Sequence, residues 1–181
     1  MIITINGKPG SGKTTVAKDI AWQLGYKHVS MGDIRGELAK KHNMTIDELN
    51  KVGETEKWTD EECDSYLRRL GNEEDNLCID TWAGFHFIPH SVKVFIECSF
   101  DVGAERIFRN QRPDEKHHDN VEEVKEMIVN RWNQTRQRFI KWYGFDVEDM
   151  SQYDIIVDST GISSRQAADE IMEFVKKSLN S

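Results

Sequence analysis

The chain has 181 residues, of which 38% are hydrophobic and 31% charged, a composition typical of one globular domain and unlike that of a disordered protein. Its formal net charge of -8 disfavours binding to polynucleotides and to anionic lipid surfaces. Three cysteines, Cys63, Cys78 and Cys98, are too few and too widely spaced for a zinc cage or a disulfide framework. No apolar run approaches the ~20 residues needed to span a bilayer. We therefore expect a cytoplasmic protein that binds neither a membrane nor a polynucleotide.

Strand and helix patterns alternate along the chain. In chain order they predict a strand at 2–6, a helix at 13–24, a strand at 28–30, a mostly polar helical stretch at 33–72, strands at 77–80 and 92–97, a helix from 101, a loop at 110–120, a helix at 121–142, a strand at 153–158 and a helix at 163–175. Capping boxes are expected at 45–48, 59–62 and 163–166. Because parallel strands need crossover connections, this order predicts an α/β fold with a five-stranded parallel sheet covered by helices on both faces. Ligands should then bind at the carboxyl ends of the strands.

A phosphate-binding loop follows the first predicted strand. The sequence Gly7-Lys8-Pro9-Gly10-Ser11-Gly12-Lys13-Thr14, with Thr15 after it, matches the pattern G-x-x-x-x-G-K-[ST] in full. In this pattern the glycines let backbone N–H groups surround phosphate oxygens, the lysine reaches the β- and γ-phosphates, and the threonine hydroxyl binds Mg²⁺. The alternative is a glycine turn that only joins strand to helix. The position of the motif between a strand and a helix favours the first interpretation, with ATP and Mg²⁺ as cofactors.

A second residue for the metal ion is expected at the end of the third predicted strand. Asp80 follows apolar residues there and is placed to hold an Mg²⁺-bound water near Thr14. Its alternative role is to cap a helix or a turn. Phosphoryl transfer depends on positioning and on charge stabilisation, so converging arginines are the other residues to expect in such a site.

Several further segments carry a family likeness over nearly the whole chain. They are Ser30-Met31-Gly32-Asp33, Glu37-Leu38-Ala39, Ala104-Glu105-Arg106-Ile107, Arg131 with Arg138-Phe139, Tyr143-Gly144-Phe145-Asp146, and Tyr153-Asp154 with Asp158-Ser159-Thr160. Together with the phosphate loop they resemble the nucleoside monophosphate kinases, and most closely the short, archaeal-type cytidylate kinases. The resemblance implies an adenylate-kinase-like P-loop NTPase fold. It also implies a monomeric kinase that passes phosphate from ATP to CMP or dCMP.

The resemblance further implies how a single kinase domain, 1–181, is divided. A core made of 1–31, 73–109 and 121–181 would contain the ATP site. A helical acceptor-binding arm would extend over about 32–72, and a short lid would lie near 110–120. Closure of the arm and the lid would exclude water, so that phosphate passes to the acceptor rather than to solvent.

Site residues follow from the same resemblance. The expected catalytic residues are Lys13, Arg131 and Arg138. The last two lie seven residues apart on one predicted helix, and therefore on one face, where both can point at a phosphate cluster. Three further arginines approach from the lid side: Arg106, Arg109 and Arg112. Of these, Arg109 is assigned to the ATP site, together with residues 7–15. The acceptor site is assigned to Gly32, Asp33, Arg35, Trp82 and Arg131.

The acceptor side departs from the family pattern at two places. Gly36 stands where an arginine is usual, with Arg35 one step earlier, and the segment after the third strand, 80–84, reads Asp-Thr-Trp-Ala-Gly without the usual arginine. Both arginines would normally grip the phosphate of the acceptor. A P-loop kinase for another small acceptor, such as a nucleoside or a metabolite hydroxyl, is therefore the alternative to a monophosphate kinase. A third alternative is a nucleotide-binding module that hydrolyses ATP slowly and signals through a partner, although the sequence shows no effector segment for it.

Overall fold

A parallel sheet lies at the centre of the molecule. The computed structural model describes residues 1–111 and 116–179, and within them the sheet has five strands in the order β2-β3-β1-β4-β5. The strands are β1 (Ile2–Gly7), β2 (Lys27–Ser30), β3 (Leu77–Asp80), β4 (Val92–Glu97) and β5 (Ile155–Asp158). All neighbouring strands run parallel, as the sequence predicts.

Helices connect the successive strands. In the described part of the chain they are α1 (Lys13–Leu24), α2 (Met31–Lys41), α3 (Ile46–Gly53), α4 (Trp58–Glu73), α5 (Gly84–Phe87), α6 (Phe100–Arg109), α7 (Val121–Tyr143) and α8 (Ser164–Leu179), with one 3₁₀ turn at Met150–Gln152. Across those same residues, no helix combines the length and the apolar character that crossing a bilayer requires.

Each face of the sheet buries its own apolar cluster. On one face, Ile3 and Ile5 of β1 pack in a cluster with residues of α1 and α8. On the other face, Ile79 of β3 and Phe95 of β4 pack in a cluster with residues of α4 and α7, among them Trp132. A parallel sheet needs this cover on both faces, because its strands are apolar along their whole length. The predicted helix–sheet–helix architecture is therefore confirmed.

The carboxyl ends of four strands meet at one edge of the sheet. In the parallel register, Ile5 of β1 lies beside Asp80 of β3, and Gly7 lies beside Ile96 of β4. Ser30, the last residue of β2, also lies beside Asp80. The phosphate loop, Asp80 and the first turn of α2 therefore emerge at the same edge.

Two of the three predicted capping boxes are confirmed, and the third is wrong. At 45–48, the Thr45 hydroxyl accepts from the backbone N–H of Glu48, and the Glu48 carboxylate accepts from the backbone N–H of Thr45. Ser163 and Gln166 make the same pair of hydrogen bonds at 163–166. Thr59, by contrast, lies inside α4, which begins at Trp58. Its hydroxyl donates to the carbonyl oxygen of Glu56 at 3.2 Å. The buried packing of Thr59 overrides the local capping signal.

Helices α2, α3 and α4 form a helical arm, residues 32–72, that packs against α7. The donors on α7 and their acceptors in the arm are Arg131 with Asp47, Arg138 with Asp60, Lys141 with the carbonyl oxygen of Glu54, Trp142 with that of Gly53, and Tyr143 with Asp64. Every one of these contacts joins residues at least 78 positions apart in the chain. The arm is therefore attached from the middle of α7 to its C-terminal end.

Candidate active site

Two positions of the phosphate loop admit only glycine. Gly10 has a φ of +73°, and a Cβ atom there would lie 2.4 Å from the Cα atom of Gly103 in α6. Gly7 has a φ of +147°, and its Cβ atom would lie 2.2 Å from the carbonyl oxygen of Ile96. A side chain at either position would push the loop away from α6 or from β4. The loop runs directly into α1 at Lys13, so the positive end of that helix faces the loop.

The side chain of Lys13 folds back over the loop. Its Nζ atom donates to the carbonyl oxygens of Gly7 at 2.8 Å and Lys8 at 2.9 Å, and it lies 5.1 Å from the ring centre of Trp82. Burial lowers the pKa of Lys13 to about 8, and the nearby Asp80 carboxylate opposes this shift. A phosphate bound here would favour the charged form of the amine and raise its pKa again.

Asp80 lies beside Thr14 at the end of β3. The Thr14 and Ser30 hydroxyls donate to its Oδ1 atom at 3.3 Å and 3.2 Å, and Nε2 of His28 lies 2.8 Å from its Oδ2 atom. These contacts fix the orientation of the carboxylate. Within 1–111 and 116–179, no cluster of three or more His, Cys, Asp and Glu side chains could hold a metal ion. A magnesium ion bound by Thr14 and Asp80 would therefore need phosphate oxygens and waters as its other ligands, which is how Mg²⁺ usually binds with nucleotides.

Arg106 holds the phosphate loop through hydrogen bonds to backbone carbonyl oxygens. The sequence places it among the arginines that approach from the lid side. Its guanidinium group donates to the carbonyl oxygens of Gly10 at 3.4 Å, Ser159 at 2.7 Å and Ile162 at 3.2 Å. The Ser159 hydroxyl in turn donates to the carbonyl oxygen of Ser11 at 3.0 Å. Arg106 thus joins the loop to the segment after β5 and is occupied by backbone acceptors.

One cleft of about 210 Å³ connects the phosphate loop with the helical arm. Its core side is lined by Lys13, Thr14, Asp80 and Trp82. Its arm side is lined by Gly32, Arg35, Arg131 and Arg138, among others. The structure therefore brings together the predicted catalytic residues, both predicted metal ligands and four of the five residues assigned to the acceptor.

Residues 7–12 and Thr15 of the predicted ATP site do not line this cleft, and neither do Asp33 and Arg109. Asp33 is exposed, and its backbone N–H donates to the Ser30 hydroxyl at the start of α2. Arg109 is exposed at the end of α6 and pairs with Glu105 at 3.2 Å. Arg112 lies outside the described residues, as does part of the predicted lid. The roles assigned to Asp33 and Arg109 therefore stay predictions.

Asp60 holds two arginines on the arm side of the cleft. Its Oδ1 atom accepts from Nη1 of Arg35 at 3.0 Å, and its Oδ2 atom accepts from Nε of Arg138 at 3.0 Å. Arg35 also donates to Asn50 at 2.8 Å and to the carbonyl oxygen of Thr59 at 3.1 Å. Its Nη2 atom is buried without a hydrogen-bond partner among the described residues. One carboxylate against two guanidinium groups leaves this cluster of three side chains with a net positive charge.

Arg131 enters the cleft from the middle of α7. It lies on the same face of the helix as Arg138, as the spacing predicts, and its Nη2 atom donates to Asp47 at 3.3 Å. Trp82 follows β3, at one of the two places where the chain departs from the pattern that the resemblance predicts. Its ring lies 5.5 Å from that of Trp132, so it forms an apolar wall beside Lys13.

The whole chain is similar to known kinases. Residues 2–161 match the family model described as the cytidylate kinase-like family. The chain belongs to that family. The cytidylate kinase of Sulfurisphaera tokodaii is 32% identical to it over 184 residues, which cover 99% of this chain and 96% of that protein. The cytidylate kinase of Sulfolobus acidocaldarius is 32% identical over 185 residues, 100% of this chain and 98% of that protein.

A solved structure supports the fold of this cytidylate kinase-like protein. Shikimate kinase from Bacteroides thetaiotaomicron superposes with a TM-score of 0.66, covering 97% of this chain and 98% of that one. The sequences are 20% identical, so the likeness concerns the fold alone. The α/β P-loop kinase fold and the family expected from the sequence are both confirmed.

Sequence reasoning missed several residues on the arm side of the cleft of this family member. Asp60, Cys63, Asp64 and Leu67 follow one another at helical spacing along α4, and all four line the cleft. Asp64 is 7% exposed and accepts a hydrogen bond of 2.5 Å from the Tyr143 hydroxyl. Helical spacing could have placed these residues on one face. Nothing in the local sequence indicates that this face meets a ligand.

Proposed function

We propose that the protein is an ATP-dependent nucleoside monophosphate kinase that transfers the γ-phosphate to CMP or dCMP. The main support is the cleft itself, which is lined both by Lys13 of the phosphate loop and by Arg35 of the arm, whose Nη2 atom has no partner in the described part of the chain. A donor phosphate held by the loop and an acceptor phosphate held from the arm would face each other within one enclosed space. The cytidylate kinases that match over nearly their whole length support the choice of acceptor.

Three cations would stabilise the phosphoryl group during transfer. Lys13 would bind the β- and γ-phosphates, and Arg131 and Arg138 would approach from α7. The salt bridge from Arg138 to Asp60 uses Nε, so it orients the guanidinium group without occupying the terminal nitrogens. Thr14 and Asp80 would hold Mg²⁺, which would neutralise charge on the phosphates. Residues 7–15 and Arg109 would complete the ATP site.

Arg35 would take the place of the arginine that the family usually has one residue later. Position 36 is buried, and a Cβ atom on Gly36 would lie 3.6 Å from the Cδ1 atom of Ile46. Arg35 instead lines the cleft and is fixed by Asn50 and Asp60, so its Nη2 atom is pre-oriented for an anion. A charge-assisted hydrogen bond of this kind contributes about 1.5–3 kcal/mol.

The wider setting of the enzyme is part of the proposal. Residues 1–31, 73–109 and 121–181 would act as the ATP-binding core, 32–72 as the acceptor arm and 110–120 as the lid. We propose a monomer in the reducing cytosol, which interacts with neither membranes nor polynucleotides. Three buried, unpaired cysteines and the negative net charge support this setting.

The test measures ADP release from ATP and Mg²⁺ by the purified protein. CMP, dCMP, UMP, AMP, GMP and free nucleosides are each offered separately, and Lys13→Ala serves as the inactive control. We expect strong stimulation by CMP or dCMP. If no monophosphate stimulated ADP release by a folded protein that still binds ATP, the proposed acceptor would be overturned. A kinase for another small molecule would then be favoured.

A further inference from the structure

The end of the cleft beside α4 has the chemistry of a base-binding pocket. In the proposed function Arg35 holds the acceptor phosphate so that it faces Lys13, and the rest of an acceptor nucleotide would extend along the arm side of the cleft, which α4 lines. There the wall combines the apolar side chains of Ile46, Leu67 and Phe139 with a few polar groups. This mixture is typical of pockets that bind an aromatic ring and read its edge.

Asp64 is a buried acidic residue at this end of the cleft, and no arginine or lysine among the described residues donates a hydrogen bond to it. Among the described residues, its hydrogen-bond partner is the Tyr143 hydroxyl, which donates to Oδ2 at 2.5 Å. Asp60, one turn earlier on α4, is by contrast paired with Arg35 and Arg138. A carboxylate has about four acceptor positions, so Asp64 can accept further hydrogen bonds from a ligand in the cleft.

We propose that Asp64 selects an acceptor base with an exocyclic amino group, cytosine rather than uracil, by accepting a hydrogen bond from that group. The inference rests on the proposed monophosphate kinase function and assigns the residue that reads the base. Cytosine presents an N4 amino donor at the position where uracil presents the O4 acceptor. An ionised carboxylate can only accept, so it attracts the first group and repels the second.

The ionisation of Asp64 makes this selection depend on pH. Burial raises the pKa of Asp64 to about 7, while the Tyr143 hydrogen bond opposes the shift. The charged and titratable groups that face Asp64 are Arg35 from α2, Asp60, Cys63 and Arg68 from α4, and Tyr143 from α7. Above pH 7 the carboxylate is ionised and discriminates. Below pH 7 the neutral acid can also donate to O4 of uracil, so discrimination weakens.

The first test compares kcat/KM for CMP and for UMP at pH 8 in the wild type, in Asp64→Asn and in Glu61→Gln. The side-chain amide that Asp64→Asn introduces can rotate to accept from cytosine or to donate to uracil. We expect a wild-type preference for CMP of at least ~10-fold that largely disappears in Asp64→Asn. Glu61 lies on the same helix, with its side chain 53% exposed and paired with Lys57, so Glu61→Gln should keep the wild-type ratio.

The outcomes separate this inference from the proposed function. Wild-type activity on CMP and UMP with equal efficiency, or a ratio unchanged in Asp64→Asn, would overturn the inference and leave the kinase intact. Equal losses for both acceptors in Asp64→Asn would also overturn it, because a ribose contact or a structural role would give that result. If the wild type transferred phosphate to none of the monophosphates, the proposed function itself would be overturned.

A second measurement needs no variant. The wild-type ratio of kcat/KM for CMP over UMP is followed from pH 8 to pH 6, together with an acceptor whose pyrimidine ring lacks the exocyclic group. We expect the ratio to fall several-fold toward pH 6, and the analogue to be poorer than CMP by ~10-fold or more at pH 8. A constant ratio together with an analogue as good as CMP would exclude Asp64 as the reader of the amino group.

Discussion

Replacement of Asp64 by asparagine should stabilise the protein at alkaline pH. Burial raises the pKa of Asp64 from its ordinary value near 4 to about 7. Each tenfold change in proton affinity corresponds to about 1.4 kcal/mol, so the ionised carboxylate costs the folded state up to about 4 kcal/mol at pH 8. Asparagine fits the same space, can still accept from the Tyr143 hydroxyl and carries no charge.

The sign of this effect follows from the proton balance. Between about pH 4 and pH 7 the unfolded chain has lost this proton while the folded protein retains it, so unfolding becomes easier as the pH rises. The advantage of Asp64→Asn should therefore grow with pH. After allowance for the Tyr143 hydrogen bond and the nearby arginines, we expect the variant to gain ~1–3 kcal/mol between pH 5 and pH 8.

Urea unfolding followed by tryptophan fluorescence at pH 5 and pH 8 measures this difference. Glu61→Gln on the same helix is the control, since its exposed carboxyl group should give a change within ~0.5 kcal/mol at either pH. An Asp64→Asn variant that is less stable than the wild type at pH 8, or whose advantage does not grow with pH, would refute the reasoning. Such a result would mean that Asp64 is ionised and electrostatically compensated in the folded protein.

Four further outcomes are expected from the phosphate-binding side chains. Lys13→Ala should abolish transfer while circular dichroism and thermal unfolding stay close to wild type; normal turnover would remove the phosphate loop from the mechanism. Because burial lowers the pKa of Lys13 to about 8, KM for ATP in the wild type should rise between pH 7.5 and pH 9.5, whereas a flat profile would mean that the amine stays charged. Arg131→Ala should lower kcat by ~10²-fold or more, and Arg165→Ala, which removes a 59% exposed arginine, should not; equal rates would make Arg131 structural. Arg35→Met should raise KM for CMP by ~10-fold or more without changing KM for ATP, and an unaffected KM for CMP would place the acceptor phosphate elsewhere.

The features predicted well from the sequence are those that a short segment determines by itself. The phosphate loop is of this kind, because the positive φ values of Gly7 and Gly10 require glycine within one short segment. The capping box at 45–48 is another example, because its hydrogen bonds lie within one turn. The same motif failed at 59–62, where packing in the arm extended the helix to Trp58.

The acidic residues on the arm side of the cleft could not be predicted from the sequence because their contacts are long-range. Asp60 meets Arg138 across 78 residues, and Asp64 meets Tyr143 across 79. No local pattern distinguishes these carboxylates from the exposed acidic residues beside them on α4. Arg106, which the sequence placed among the arginines that approach from the lid side, is another long-range case, because the fold directs it to backbone carbonyl oxygens of Gly10 and Ser159.

The attachment of the arm to α7 bears on how the enzyme would avoid wasting ATP. An arm that swung open would break the salt bridge from Arg138 to Asp60 and four more hydrogen bonds. Because α7 belongs to the core, Arg131 and Arg138 would stay in the cleft wall with Lys13 while the arm opens, so an open arm would expose bound ATP to water with both arginines in place. The hydrogen bonds to α7 would therefore favour the closed arm and limit that exposure.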